Sequence, residues 1–265
     1  MSIVDALIMG LVQGLTEFLP VSSSGHLVIA KHLLGGVKET GILFEVLLHF
    51  GTLLAVLFYF RQDILSLLRA FLPSSDTNDE AKAGSRKLAY MVIVGTIPTV
   101  VIALLFKDLF ESLFTSVRIV SIMLLITGLL LFLSDNMKIT SGKKVGIKDA
   151  IIIGIVQGLA IIPGISRSGS TIATGLFRGI KGEDAATFSF LLAIPAILGA
   201  VVLHAKDISV MESVDLLPYF VGVVTAAISG FLSIKLLMKV VAGRNLKFFA
   251  FYCWIVGLSC LTLNL

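Results

Sequence analysis

The sequence contains few charged residues, and this scarcity bounds what the protein can be. Only 14% of its 265 residues are Asp, Glu, Lys or Arg, whereas 57% are hydrophobic. Soluble domains are typically ~25% charged and ~45–50% apolar. A single soluble core cannot bury this much apolar surface, so most of the chain is expected to face lipid. The composition therefore predicts a polytopic membrane protein.

Cysteine and the common ligand-binding motifs are also scarce or absent. The two cysteines, Cys253 and Cys260, lie in the last apolar segment, too far apart along a helix for a disulfide, so we expect them to pack in the protein interior. The chain has no phosphate loop, no two-histidine zinc helix and no glycine-rich dinucleotide motif. The N-terminus carries Asp5 and no basic region, so no cleavable signal peptide is expected.

Apolar segments dominate what is present. Six of them are long enough to cross ~30 Å of hydrocarbon at ~1.5 Å per residue. They comprise residues 42–60, 88–106, 118–135, 185–204, 216–237 and 248–264. The sequence therefore predicts six full transmembrane helices.

Two further apolar runs, 3–19 and 149–162, end in polar breaks. The first break reads "LPVSSSGHL" (19–27), the second reads "IPGISRSGST" (162–171), and a short apolar stretch follows each. Broken segments are tolerated at membrane depth only where protein or a wet cavity satisfies the freed backbone. We therefore expect two re-entrant helical hairpins, with a short helix restarting just after Gly25 and Gly169. The predicted fold class is an all-α polytopic membrane protein.

The two halves of the chain are related in sequence. The stretch "DALIMGLVQGL" (5–15) reappears as "DAIIIGIVQGL" (149–159), at a constant offset of 144 residues. The same offset places Ser22, Ser24 and Gly25 on Ser166, Ser168 and Gly169. We therefore predict one integral membrane domain over residues 1–265, with repeat 1 at about 1–135 and repeat 2 at about 149–265.

Loop charges indicate how the repeats are oriented. Basic residues concentrate in loops 61–87 and 136–148 and around 235–247, whereas 107–117 and 205–214 hold one lysine each. Basic loops favour the cytoplasmic side, so we expect the net charge of +4 to orient the protein in the membrane. The basic residues lie in these short loops and give no sign of a nucleic-acid partner. Three spans separate the hairpins, so they enter from opposite faces. This predicts an inverted-topology repeat whose broken helices meet near the bilayer midplane.

The breaks have the chemistry of an anion site. Serine and threonine cap free N–H groups where a helix begins, and a helix N-terminus carries partial positive charge that binds anions. Two such termini facing each other would suit a doubly phosphorylated ligand. The alternative is that these serines only satisfy the interrupted backbone, and the two interpretations are compatible.

The two repeats differ at positions where one of them carries an ionisable or reactive side chain. Three pairs of aligned positions differ in this way: Glu17 and Ile161, Ser23 and Arg167, His26 and Ser170. A symmetric scaffold does not need these groups, and ionisable side chains in a membrane are costly. Glutamate, serine, histidine and arginine around an anion site indicate phosphoryl transfer. A buried Glu–Arg pair that only fixes the fold is the alternative.

Other polar residues are less informative. Glu45 and His49 are spaced i, i+4 in the first full span, where cavity lining and helix packing both remain open. The run "PSSDTNDEAKAGSRK" (73–87) is predicted to be a solvated loop.

The segments "QGLTEFLPVSSSGH" and "PGISRSGST" closely resemble the two signature regions of the bacterial undecaprenyl-diphosphatase family, of the bacitracin-resistance type. The resemblance implies an enzyme of the bacterial plasma (inner) membrane that hydrolyses undecaprenyl diphosphate to the monophosphate and inorganic phosphate. That reaction recycles the lipid carrier for cell-wall synthesis and is associated with bacitracin tolerance. The resemblance further implies an active site facing the outer side and a divalent cation, Mg²⁺ or Ca²⁺.

The resemblance also assigns residues. The catalytic candidates are Glu17, Ser23, His26 and Arg167, and Glu17 is also the candidate metal ligand. Gln13 stands where the family's first acidic residue is found, which leaves Glu17 as the sole carboxylate in the break. The substrate-binding candidates are Gln13, Ser22, Ser24, Gly25, Ser166, Ser168, Gly169 and Thr171.

Several alternatives stay open at this point. Either Ser23 attacks phosphorus, assisted by Glu17 or His26, or water attacks directly. Inverted repeats with paired broken helices also occur in secondary transporters and lipid flippases, which form the alternative function. An acid-phosphatase-type lipid phosphatase is disfavoured, because it needs a histidine where this chain has Ala173. Membrane lipids are the expected surroundings, and a homodimer is left open.

Overall fold

A computed structural model describes residues 1–34, 42–72, 79–137, 142–203, 216–243 and 245–263. Within these residues the chain folds into twelve α-helices, with a single isolated β-bridge between Lys143 and Ile180. The helices are α1 (Ile3–Phe18), α2 (Ser23–Leu33), α3 (Ile42–Tyr59), α4 (Arg61–Arg69), α5 (Asp79–Leu105), α6 (Lys107–Leu113), α7 (Val117–Asp135), α8 (Ile147–Leu159), α9 (Arg167–Phe177), α10 (Gly182–Leu203), α11 (Leu216–Ala242) and α12 (Lys247–Thr262). The predicted all-α class is confirmed.

The helices include several that can cross a membrane. By length and composition, α5, α7, α10 and α11 are full spans, and α3 with α4 forms a fifth that bends by 72° between them. The remaining predicted span coincides with α12, an apolar helix of 16 residues. The chain is therefore a multi-pass membrane protein with four or five clear spans. The predicted ends at 204 and 264 lie outside the described residues.

Three predicted loops contain helices. The predicted solvated loop 73–87 is wrong from residue 79 onward, because α5 begins there, while 73–78 lie outside the described residues. Ala81, Lys82 and Ala83 are strong helix formers, and Glu80 suits the positive end of the helix, so the span continues into its charged flank. The loops predicted at 61–87 and 107–117 also contain the short helices α4 and α6.

Glycines allow the two broken segments to pack closely against full spans. Helix α1 packs on α11, and α8 packs on α5. A Cβ at Gly14 would lie 1.9 Å from Ser229 Oγ, and one at Gly154 would lie 2.0 Å from the carbonyl oxygen of Gly95. Small residues at such crossings let helix backbones approach each other in lipid. Each broken segment is thereby packed closely against a full span on one face.

An apolar cluster supports the region where the breaks lie. Phe18 ends α1 and packs with Ile172 of α9, Phe190 of α10 and Ile234 of α11, all of them fully buried. The rings of Phe18 and Phe190 meet edge to face, with centroids 5.5 Å apart. The two cysteines are free and buried on α12, as expected from their spacing.

An ion-pair cluster joins the start of α8 to the end of α9. Asp149 in the first turn of α8 accepts hydrogen bonds from Lys143 Nζ at 3.0 Å, from Arg178 Nε at 2.8 Å and from the backbone N–H of Gly146 at 3.2 Å. Arg178 is the C-cap of α9. The start of α8 is therefore tied to the end of α9, which fixes the segment between them.

The glycine contacts give a stability prediction. Gly154→Ala should destabilise the protein, because its methyl group would overlap the Gly95 carbonyl, and overpacking typically costs ~1–3 kcal/mol. Such a loss corresponds to a lower melting temperature by about 2–4 °C per kcal/mol. The measurement is thermal unfolding of the purified protein in detergent. Gly199→Ala is the matched control, because nothing lies within 4 Å of a Cβ there. Equal melting temperatures for the two variants would contradict the packing argument.

Candidate active site

Both breaks end in a serine that caps the next helix. Ser22 Oγ accepts a hydrogen bond from Gly25 N at 3.3 Å, and Ser166 Oγ accepts one from Gly169 N at 3.0 Å. Helices α2 and α9 therefore begin before these glycines, and the prediction that they restart just after Gly25 and Gly169 is wrong. The reason is the position of the N-caps, which lie three residues ahead of each glycine and place it in the first helical turn.

The two breaks contact each other directly. Gly164 N donates to Ser22 Oγ at 3.1 Å, so one serine caps its own helix and also the opposite break. Gly164 has a φ of +96°, which glycine adopts without strain, and a Cβ there would lie 2.3 Å from the carbonyl of Val120. Ser168 Oγ donates to the carbonyl of Leu19 at 3.3 Å in the other direction. The structure thus brings the predicted polar segments into one site.

Thr127 of α7 supports the second break, and sequence reasoning missed it. Its Oγ1 donates to the carbonyl of Gly164 at 2.9 Å and accepts from the backbone N–H of Ser166 at 3.1 Å. Both backbone groups are buried and would otherwise be unpaired. A single threonine in an apolar span carries no recognisable sequence signal, so only the fold reveals this role.

Three of the four catalytic candidates, Glu17, Ser23 and Arg167, meet where the two breaks contact each other, a region we call the junction. Glu17 Oε2 accepts a hydrogen bond from Ser23 Oγ at 2.5 Å, and Glu17 Oε1 accepts one from Arg167 Nη2. Gln13 Nε2 also donates to Glu17 Oε2, at 3.0 Å. Glu17 is only 7% exposed, so its carboxylate depends on these donors in place of water. The arrangement places a serine hydroxyl against a carboxylate, with a guanidinium on the other side.

The junction leaves polar atoms without partners. Among the described residues, Arg167 Nη1 and Ser170 Oγ are buried and form no hydrogen bond. An unsatisfied buried donor is costly, and a guanidinium N–H is well suited to a phosphate oxygen. Arg167 belongs to the predicted site, whereas Ser170 was noted only as the counterpart of His26. The orphaned donors indicate where an anion would bind.

His26 is directed elsewhere. Its Nδ1 lies 2.8 Å from the Ser22 carbonyl oxygen, and its Nε2 lies 2.9 Å from the hydroxyl of Tyr252. The two rings are stacked, with centroids 5.6 Å apart and an interplanar angle of 11°. Both ring nitrogens are therefore engaged outside the Glu17 cluster. The structure places His26 next to the first break without joining it to Ser23 or Arg167, because Tyr252 of α12 holds the ring.

The remaining candidates surround the helix starts. Ser24 Oγ lies 3.3 Å from Ser22 Oγ, and Ser168 Oγ lies 3.3 Å from Ser166 Oγ, so the two caps match each other. Thr171 Oγ1 donates to the carbonyl of Arg167 at 2.8 Å and lies 2.6 Å from the hydroxyl of Ser189 on α10. Most of these side chains already satisfy backbone or one another, which agrees with the structural role considered for them.

The cluster around Glu17 contains oxygen atoms that could coordinate a metal ion. The described residues contain no group of three or more His, Cys, Asp or Glu side chains that could hold one. Glu17 is the carboxylate at the junction, and Gln13 Oε1 is buried without a hydrogen-bond partner among the described residues. Carboxylate and amide oxygens suit Mg²⁺ and Ca²⁺, and Mg²⁺ often takes its other ligands from phosphates and water. The residues present fit a cation shared with a phosphate ligand.

Comparison with known proteins identifies the group to which this site belongs. The family described as "Bacitracin resistance protein BacA" matches residues 6–259. The chain belongs to this family. A relative from Syntrophotalea carbinolica named undecaprenyl-diphosphatase is 48% identical, over 97% of this chain and 97% of its own length. A relative of the same name from Methanosphaera stadtmanae is 44% identical, over 100% and 99%.

A further relative extends the comparison to Bacillus thuringiensis, where "Undecaprenyl-diphosphatase 2" is 44% identical over 98% of this chain and 97% of its own length. The match to the BacA family over residues 6–259 covers both breaks. The resemblance drawn from the two sequence motifs is confirmed.

In this member of the BacA family, Thr127 gives a second prediction. Thr127→Val keeps the shape but leaves a buried N–H and a buried C=O unpaired, at a cost of ~1–3 kcal/mol for each. We expect a melting temperature several degrees below that of the wild type, measured in detergent. Ser121→Ala on the same helix is the control, because Ser121 Oγ donates to the Val117 carbonyl of its own helix. If Thr127→Val melts no lower than Ser121→Ala, Thr127 does not brace the break.

Proposed function

We propose that this chain is an undecaprenyl-diphosphatase that hydrolyses undecaprenyl diphosphate to undecaprenyl phosphate and inorganic phosphate. The observation that carries the proposal is the junction of the two breaks. There the Ser23 hydroxyl donates to Glu17 at 2.5 Å, beside a buried arginine whose Nη1 has no hydrogen-bond partner among the described residues. The names of the relatives support the same substrate.

The first step is attack of Ser23 on the terminal phosphorus. Glu17 Oε2 accepts the hydroxyl proton as the Oγ–P bond forms, and the bond from phosphorus to the bridging oxygen breaks. Undecaprenyl phosphate leaves with the bridging oxygen and its electron pair. Water then attacks the phosphorus of the phosphoserine, and the bond from phosphorus to Ser23 Oγ breaks. The proton held by Glu17 returns to Ser23 Oγ, and inorganic phosphate leaves with both hydrogens of the water. Direct attack by water, with Ser23 holding the phosphate, is the competing route.

Charge stabilisation comes from the second break. Arg167 Nη1 is directed to the phosphate, and the first-turn N–H groups of α9 add the positive end of a helix dipole. Positioned donors of this kind are worth ~10²–10³ in rate at other enzymes. Because Arg167 also binds Glu17 Oε1, the same guanidinium orients the carboxylate. His26 supports the first break through its bond with Ser22.

We propose that a divalent cation, Mg²⁺ or Ca²⁺, assists this site. Glu17 and the orphaned Gln13 Oε1 are the protein oxygens that would hold it, together with substrate phosphates. When bound, the ion would neutralise phosphate charge.

The proposed architecture is a single membrane domain with an inverted repeat, repeat 1 at about 1–135 and repeat 2 at about 149–265. Helices equivalent in the repeats exchange partners, since α1 of the first packs on α11 and α8 of the second packs on α5. The matched caps on Ser22 and Ser166 also support the repeat. Six full spans and two re-entrant hairpins, with the site near the bilayer midplane, remain the proposed arrangement.

The substrate tail would lie in the apolar part of the bundle. An apolar groove of about 550 Å³ runs between α4, α5 and α10, and among the described residues that line it only Thr96 is polar. Leu191 and Ile194 line this groove and also pack in the cluster that contains Phe18, the neighbour of Glu17.

We place the enzyme in the bacterial plasma membrane with its site open to the outer side. There it would recycle the lipid carrier and give bacitracin tolerance.

Catalytic variants test the proposal. Ser23→Ala and Arg167→Ala should each lower phosphate release from undecaprenyl diphosphate by at least ~10²-fold, because they remove the nucleophile or the main phosphate donor. The assay uses purified protein in detergent, with substrate binding measured in parallel. Ser233→Ala, a buried serine bonded within α11, and Arg118→Ala, at an exposed position of α7, are the controls. Wild-type turnover in Ser23→Ala would exclude serine attack, and bound substrate without any release by wild-type protein would favour transport.

Cation removal gives a separate prediction. EDTA should abolish phosphate release, and added Mg²⁺ or Ca²⁺ should restore it, because the Glu17 site would lack the ion that neutralises phosphate charge. Glu17→Gln should remain inactive at every cation concentration. Unchanged turnover in EDTA would remove the cation from the proposal.

A further inference from the structure

We infer that His49 is a positioning residue that holds the Glu17 carboxylate in place through the amide of Gln13. This inference rests on the proposed function and adds α3 to the three helices that carry Glu17, Ser23 and Arg167. The sequence left two roles open for His49, cavity lining and helix packing. In the structure its Nδ1 lies 2.9 Å from Gln13 Nε2 and 3.5 Å from Glu17 Oε2.

The hydrogen bonds of Gln13 define the role. Gln13 is fully buried, and its Nε2 has two acceptors nearby, Glu17 Oε2 at 3.0 Å and His49 Nδ1 at 2.9 Å. An amide nitrogen carries two hydrogens, so it can donate one to each acceptor. The opposite orientation would bring the amide oxygen against the carboxylate and is repulsive. His49 Nδ1 is therefore the acceptor of the second amide hydrogen.

This bond matters because of the oxygen it supports. Glu17 Oε2 is the atom that receives the Ser23 hydroxyl at 2.5 Å. The terminal torsion of glutamine is soft, so an amide held at one hydrogen only can turn away from that oxygen. With His49 in place, both amide hydrogens are committed and the carboxylate keeps a fixed donor. The chain of contacts runs from His49 through Gln13 and Glu17 to Ser23.

The second repeat provides an internal comparison. Gln157 occupies the position equivalent to Gln13, where it donates to Thr99 Oγ1 at 3.3 Å and to the carbonyl of Leu192 at 3.2 Å. At the same offset of 144 residues, the counterparts of Glu17 and His49 are Ile161 and Ala193. The repeat without the carboxylate also lacks the histidine, and its glutamine binds scaffold groups. The histidine is thus found where there is a carboxylate to orient.

The surroundings of His49 leave it free for this role. Thr52 Oγ1 donates to the His49 carbonyl at 2.8 Å, which anchors this turn of α3. Glu45, one turn earlier on the same helix, is paired with Lys31 of α2 and does not compete for the ring. The His49 side chain is 31% exposed, so the ring lies at the edge of the cluster, with Gln13 behind it.

The test is a double-mutant cycle on phosphate release. His49→Ala should lower kcat about tenfold, the size of one lost orienting hydrogen bond, and leave KM within about threefold. His49→Gln, whose amide oxygen can still accept from Gln13, should recover most of the rate. If His49 acts through Gln13, the double variant Gln13→Leu/His49→Ala should be no more than about twofold slower than Gln13→Leu alone. His32→Gln is the control, because His32 lies at an exposed position near the end of α2. Its kcat and KM should equal those of the wild type.

The outcomes separate the inference from the proposed function. Active wild-type protein with unchanged kcat in His49→Ala, or with effects of the two substitutions that multiply, would overturn the positioning role alone. A raised KM with normal kcat would instead make His49 a substrate contact. Wild-type protein that binds substrate but releases no phosphate would overturn both. Melting temperatures establish that each variant is folded, and His49→Leu, which keeps the side-chain bulk, replaces His49→Ala if that variant is not.

Discussion

The buried ion pair between Glu17 and Arg167 is the interaction on which the site depends. Two charges removed from water are costly, and their attraction compensates only when other hydrogen bonds satisfy them. Glu17 obtains those bonds from Ser23 and Gln13, and Arg167 is fixed by the N-terminal turn of α9. The pair also joins the two halves of the chain. The sequence left two roles open for this pair, fixing the fold and serving catalysis. The contact between the two breaks supports the first, and the proposed mechanism adds the second.

The scaffold around this pair is symmetric, and the chemistry is not. Ser22 and Ser166 cap equivalent helices, and Gly14 and Gly154 allow equivalent close packing. The functional groups occur once each, with the carboxylate from one break and the guanidinium from the other. Under the proposed inverted repeat, duplication would supply two similar cradles of backbone N–H groups, and divergence at a few positions would make them complementary. Charges of opposite sign could meet only because the two breaks contact each other.

Much of this arrangement could be predicted from the sequence. Helix class, both breaks and the meeting of Glu17, Ser23 and Arg167 follow from hydropathy, the repeat and two motifs. Thr127 and the role of His49 could not be predicted, because one polar residue in an apolar helix has no periodic signal. The direction of His26 depends on Tyr252, which is distant in sequence. Helix boundaries were missed where helix-forming residues continue a span into its charged flank, as at Glu80.

The unpaired polar groups at the candidate site indicate the kind of ligand that would suit it. Arg167 Nη1, Ser170 Oγ and Gln13 Oε1 are buried without partners in the part of the chain that the structure describes. Native proteins rarely leave such groups unsatisfied, since each costs ~1–3 kcal/mol. The donors among them lie on α9, next to a carboxylate that already holds the serine hydroxyl. In the proposed reaction a phosphate would accept hydrogen bonds from these donors, while the Ser23 hydroxyl, already held by Glu17, attacks phosphorus.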